Sequence, residues 1–151
     1  MPRSLRRDES DAASMVRVVL DTNVVISAAL KPSGNERAVF AAVRAAGAIL
    51  LVSPALLAEY EQVAARGKFR RVHAELEAVI AAIRLSAHHV SPDSVPRVSR
   101  DVADDMVLAC AEAGAADYLV TGNLRDFPST WRGTRVVNAR AFLIALASGG
   151  K

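Results

Sequence analysis

The acids that could do chemistry in this chain stand at the ends of apolar runs. Asp21 closes the strand-like part of "VVLDTNVVISAAL", Glu59 lies in "SPALLAEYEQVAARG", Asp104 in "DVADDMVLACAEAG" and Asp126 in "TGNLRDF". Carboxylates gathered in one cleft repel one another and raise one another's pKa unless a positive charge compensates. A divalent cation compensates. A ligand set of carboxylates and water, with no Cys or His cluster, suits Mg2+ or Mn2+. Taken singly, each acid has a plainer use. Asp21 and Asp101 fit helix N-caps, Glu59 fits a solvent face in step with Gln62 and Val63, and Asp126 fits a turn before "FP". A shared location favours chemistry over those separate uses.

Other chemistries find less support. His88 and His89 are adjacent, so they point in different directions on any regular element, and they read as solvated residues near a helix end. Cys110, in "MVLACAEAG", reads as a core thiol. A lone cysteine cannot make an intrachain disulfide, which fits a reducing cytoplasm. There is no Gly-rich phosphate loop, and no Ser–His–Asp arrangement that spacing would support.

The elements that must position the acids alternate in type. Short β-branched runs at 16–20, 48–52, 117–121 and 134–138 read as buried parallel strands. Helical patterns cover Asn23 to Leu30 and Asn35 to Ala46, then a helix capped by Ser53 with Pro54 first, then "HAELEAVIAAIRLSAHH". Two more follow, one capped by Asp101 and ended near Gly114, the other capped by Asn138. This order predicts an α/β fold with a central parallel sheet, and ligands bind beyond the carboxyl ends of such strands. Asp21, Asn123 and Asp126 are set at that edge by strand ends, and Glu59 and Asp104 by helices that begin there. Within "DVADD", steps of three and four from Asp104 reach Val107, Leu108 and Ala111, whereas steps from Asp105 reach Leu108, Ala109 and Glu112. Asp104 is therefore expected to face the cleft and Asp105 to lean toward solvent.

Bulk properties bound the partners. The 151 residues suit one domain with a real core, and 52% of them are hydrophobic, which excludes a disordered chain. No apolar run reaches membrane-spanning length, so no membrane association is expected. A net charge of +3 and a pI near 9.5 permit a polyanionic partner. Basic residues gather in "ARGKFRR", at Arg97 and Arg100, and in "WRGTR". At 5% aromatics, a stacking platform for single strands is not obvious. Residues 1–14 are polar without periodicity and read as a disordered leader, with Met1 and Met15 both open as the start. The domain is expected over 15–147, followed by a tail at 148–151.

Three segments in order resemble the PIN-domain family of metal-dependent nucleases, which includes toxins of toxin–antitoxin pairs. They are "VVLDTNVVISAAL", "LVSPALLAEYEQVAARGKFR" and "DVADDMVLACAEAGAADYLVTGNLRDF". The resemblance covers Met15 to about Leu146, and the second segment looks most like a subgroup labelled as toxin components. It implies a three-layer α/β/α sandwich, often dimeric, and a cytoplasmic ribonuclease that acts on RNA with Mg2+ or Mn2+. A homodimer and a cognate antitoxin are the partners it implies. On this resemblance Asp21, Glu59, Asp104 and Asp126 are the catalytic acids. Asp21 and Asp104 hold a metal ion, with Asp126 joining directly or through water. Glu59 orients or deprotonates the attacking water, or helps hold a second ion. Asn23, Thr121, Asn123, Asp101 and Asp105 support these ligands, and Arg66, Lys68 and Arg100 bind the RNA backbone. Many relatives carry Asp where this chain has Asn123, so Asp126 is the fourth acid here.

Two rival readings use the same residues. In an aspartyl-phosphate phosphotransferase Asp21 would be the nucleophile, but such enzymes usually pair it with an Asp two residues on, and Asn23 stands there. A non-catalytic RNA- or protein-binding domain on the same fold is the other, and a negative cleft would weaken its hold on RNA.

Overall fold

Val18, Val19 and Leu20 expose none of their surface, as the middle strand of a parallel sheet requires. They belong to β1 (Arg17–Leu20), and the computed structural model describes residues 15–95, 97 and 101–149 around it. The expected leader at 1–14, Arg100 and the last two residues of the tail lie outside the described residues. After β1 come α1 (Thr22–Leu30), α2 (Asn35–Ala46), β2 (Ile49–Val52) and α3 (Pro54–Ala64). A 3₁₀ helix (Gly67–Val72) leads into α4 (His73–Ser86) and β3 (His88–His89). The chain continues through α5 (Val102–Ala113), β4 (Tyr118–Val120), a 3₁₀ turn (Leu124–Asp126), β5 (Thr130–Trp131), β6 (Thr134–Val137) and α6 (Ala139–Ala147).

The strand order is β3-β2-β1-β4-β6-β5. β1 pairs in parallel with β2, Val18 beside Leu50, and with β4, Val18 beside Tyr118. β2–β3 and β4–β6 are also parallel. The chain moves outward from β1 through β2 to β3, then returns past β1 to β4. Right-handed crossovers then place α1, α2 and α4 on one face and α5 on the other, while α3 touches α1 and α4 as well as α5. α5 packs across β1, β2 and β4, and its end comes so close to β2 that a Cβ on Gly114 would lie 2.6 Å from Leu51 Cδ1. The expected parallel sheet between helices is therefore present, with only the short edge strand β5 antiparallel among the described strands, and among the described residues no helix is long and apolar enough to cross a membrane.

Two strands were not legible. β3 consists of His88 and His89, both exposed, and it joins the edge of the sheet by parallel pairing with β2. β5 is antiparallel to β6 across Arg132 and Gly133, whose φ angles of 47° and 90° form a two-residue hairpin turn. The "WRGTR" cluster is thus a hairpin tip, and the Arg132 guanidinium lies 4.9 Å from the centre of the Trp131 ring.

Candidate functional site

β1 is where the direction of the sheet reverses, so a crevice opens between the carboxyl ends of β1 and β4. Asp21 stands in it, only 6% exposed. Its backbone N–H donates to the Val120 carbonyl at 2.9 Å, which ties it to the end of β4. One carboxylate oxygen, Oδ1, accepts from Thr22 N–H at 2.8 Å, and Oδ2 accepts from Thr121 Oγ1 at 2.7 Å. Asp21 therefore caps α1 and faces the crevice at once, and the plainer reading and the chemical one do not compete. Burial pushes its pKa up, the bonds from Thr121 and Thr22 pull it down, and the negative charges of Asp126 and Asp101 push it up again.

Glu59 reaches the same cleft from the second turn of α3. The next residue fixes that helix. The Tyr60 hydroxyl is fully buried and donates to the Leu20 carbonyl at 2.6 Å, so α3 is pinned over the last residue of β1. Burial raises the Glu59 pKa, Arg66 lowers it, and Asp101 and Asp21 raise it. Asp104 lines the cleft from the first turn of α5, where Asp101 caps the helix by accepting from Ala103 N–H at 2.9 Å. Burial, followed by Asp21, Asp101, Asp126 and Asp105, pushes the Asp104 carboxyl up to about 7.

The remaining expected residues fall into three groups. Thr121 holds Asp21 directly, and Asn123 acts one step behind it, its backbone N–H donating to Thr121 Oγ1 at 3.0 Å. Asn23 accepts from Gly122 N–H at 3.3 Å, closing the start of α1 onto the loop after β4. Arg66 and Lys68 line the cleft opposite in charge to the acids. Asp126 is exposed on its 3₁₀ turn and does not line the cleft wall, although its charge acts on both Asp21 and Asp104.

Asp105 departs from expectation. It is 4% exposed, not turned toward solvent. α5 packs against α3 as well as the sheet, so Ala109 and Cys110 are buried along with Val107, Leu108 and Ala111. The buried arc is wider than a single amphipathic stripe, and Asp105 falls inside it.

The cleft has a volume of about 340 Å³. Its wall also includes Ile26, Ser27, Val63 and Phe69, none of them among the residues expected from the sequence. Ile26 and Val63 sit on apolar helix stripes that look like core. Phe69 lies in a 3₁₀ segment too short for periodicity to report, and its place between Lys68 and Arg70 was the available signal.

The donor chemistry fits a divalent cation of the magnesium type. Among the described residues no three His, Cys, Asp or Glu side chains come together as a ready-made metal cluster. Magnesium needs none, since it keeps several waters and takes one or two carboxylates. Asp21 and Asp104 supply two, and beyond the burial that raises both pKa values first, Asp126 and Asp101 push Asp21 up and Asp21, Asp101, Asp126 and Asp105 push Asp104 up, a surplus of negative charge that a cation relieves.

A search among curated proteins finds no match. A family profile described as PIN domain matches residues 17–125, from the first residue of β1 to the 3₁₀ turn after β4. PIN domains are generally nucleases and typically use divalent metal ions. With most of its length matched and the three acids Asp21, Glu59 and Asp104 on one cleft at the switch point of its sheet, the chain belongs to the PIN domain family.

Proposed function

We propose that this chain is an endoribonuclease that hydrolyses RNA phosphodiester bonds with Mg2+ or Mn2+, and that it is the toxin of a toxin–antitoxin pair. The observation that carries the reading is the gathering of Asp21, Glu59 and Asp104 on one cleft whose wall also holds Arg66 and Lys68. Asp21 and Asp104 would hold the cation, and Asp126, whose charge acts on both, would join through water. When bound, the cation neutralises these acids, polarises a phosphoryl oxygen and lowers the pKa of a water.

The chain's own residues do the rest. Thr121 and Thr22 keep Asp21 oriented by occupying one lone pair on each of its oxygens. Glu59, its affinity for protons raised by burial, takes the proton from the attacking water and so acts as general base. Arg66 and Lys68 draw the polyanion in and hold its phosphates without reading sequence. The protein works as a homodimer, is restrained by a cognate antitoxin, and acts in the cytoplasm, where the lone Cys110 stays reduced.

The test is cleavage of RNA by the purified chain in Mg2+ and in EDTA, with Asp21→Asn alongside. Internal fragments that appear only with Mg2+ and only with the native residue support the reading. RNA that is bound but never cut, in any divalent cation, overturns it in favour of a binding domain.

A further inference from the structure

The lining of the cleft is of two kinds. Asp21, Glu59 and Asp104 account for the reaction, but Ile26, Val63 and Phe69 do not. Apolar side chains on the wall of a charged cleft have no use in holding a phosphodiester. Phe69 packs partly against the core and turns its remaining surface to the cleft. The exposed Lys68 ammonium lies 5.1 Å from the centre of its ring. A flat apolar ring next to cations, inside an acid-lined cleft, matches the parts of a nucleotide: a base with a π-face and a phosphate beside it.

Resting on the ribonuclease reading above, we propose that Phe69, which shares the cleft wall with Ile26 and Val63, stacks on the base of a nucleotide adjoining the bond to be cut. The contact between an exposed ammonium and a ring is weaker than the stacking of a base on that ring. An arriving nucleotide therefore takes the ring and leaves Lys68 free to meet the neighbouring phosphate. A base in an A-form duplex has both faces covered by its neighbours and cannot supply this contact. The ring reads a face and not an edge, so Phe69 holds a base of any identity.

The experiment measures binding and cleavage by the full chain of a short fluorescently labelled RNA, as a single strand and annealed to its complement. Phe69→Leu keeps apolar bulk against the core but removes the flat ring, and Phe69→Trp restores a ring. Binding is read in EDTA and cleavage in Mg2+. The proposal expects Phe69→Leu to weaken single-strand binding and raise KM about tenfold, with kcat and duplex binding little changed, and Phe69→Trp to recover the loss. Equal weakening toward both RNAs, or none, overturns it. Cleavage that persists with an unchanged KM in Phe69→Leu overturns the platform and leaves the nuclease standing. Ring-dependent binding with no cleavage supports the platform and removes the nuclease.

Discussion

The Thr121 hydroxyl donates to Asp21 Oδ2 at 2.7 Å, joining the ends of β4 and β1 across 100 residues of chain. Thr121 is fully buried, so this bond has no water to replace it. The bond favours the charged form of Asp21 against the burial that opposes it. Thr121→Val keeps the shape and removes the donor. It should cost about 1–3 kcal/mol, the price of a buried acceptor left unsatisfied. The cost should be larger at alkaline pH, where Asp21 is charged, than at acid pH. Urea unfolding at the two pH values measures it, and a loss independent of pH would mean that Asp21 is not the partner that matters.

Tyr60 performs the matching service for Glu59. Removing its hydroxyl leaves the Leu20 carbonyl without that donor and frees α3 to shift over β1. Tyr60→Phe should lower stability by about 1 kcal/mol. On the proposed function it should also reduce RNA cleavage, with the loss in kcat and not in KM, because Glu59 on α3 moves while Lys68 lies beyond that helix. Steady-state kinetics beside a denaturation curve separate the two effects, and unchanged kcat would show that Glu59 is placed by other contacts.

Asp104 gives stability a particular dependence on pH. Its carboxyl sits at about 7 in the folded chain against an ordinary 3.8, so the folded state binds this proton more tightly than the unfolded one. That stabilisation is full below the unfolded value and is lost as pH rises through the folded value. Asp21 and Glu59, both raised, act in the same sense. In EDTA, the melting temperature should therefore fall from about pH 5 to about pH 8, and Asp104→Asn should flatten the fall. Saturating Mg2+ should flatten it too, by binding the charged form. A melting temperature that rises over this range would contradict the shared burial of these acids.

The two neighbouring acids of α5 should separate cleanly. Asp104→Asn removes a charge that repels its surroundings, so it should abolish cleavage while leaving the fold at least as stable. Asp105→Asn alters a residue that is buried and already has a partner. It should lower stability by about 1–3 kcal/mol, while the cleft keeps its ligands. Melting curves and cleavage rates for both variants test the pair, and a stable, inactive Asp105→Asn would exchange their roles.

The strands that carry the site were legible because β-branched runs such as "VRVVL" and "AILLV" are buried on both faces and end in punctuation. The caps Asp21, Ser53, Asp101 and Asn138 were legible for the same local reason. β3 and β5 were hidden because two residues carry no period, and their pairing depends on a neighbour supplied from elsewhere. The placement of Asp105 was missed because the helical count assumed one buried stripe, and tertiary packing of α5 on two sides buries more. Phe69 was missed because residues of a 3₁₀ segment reach a cleft through a bend that no spacing rule describes.

On the proposed function, Asp21 and Asp104 hold one cation between them. Calorimetric titration of Mn2+ into the metal-free chain tests it most directly, with Asp21→Asn, Asp104→Asn and the double variant. One ion per chain is expected in the native protein, and each single variant should weaken that one binding event by about tenfold or more. Two ions per chain, with a different one lost in each single variant, would show separate sites, and tight binding retained in the double variant would show that the cation sits elsewhere.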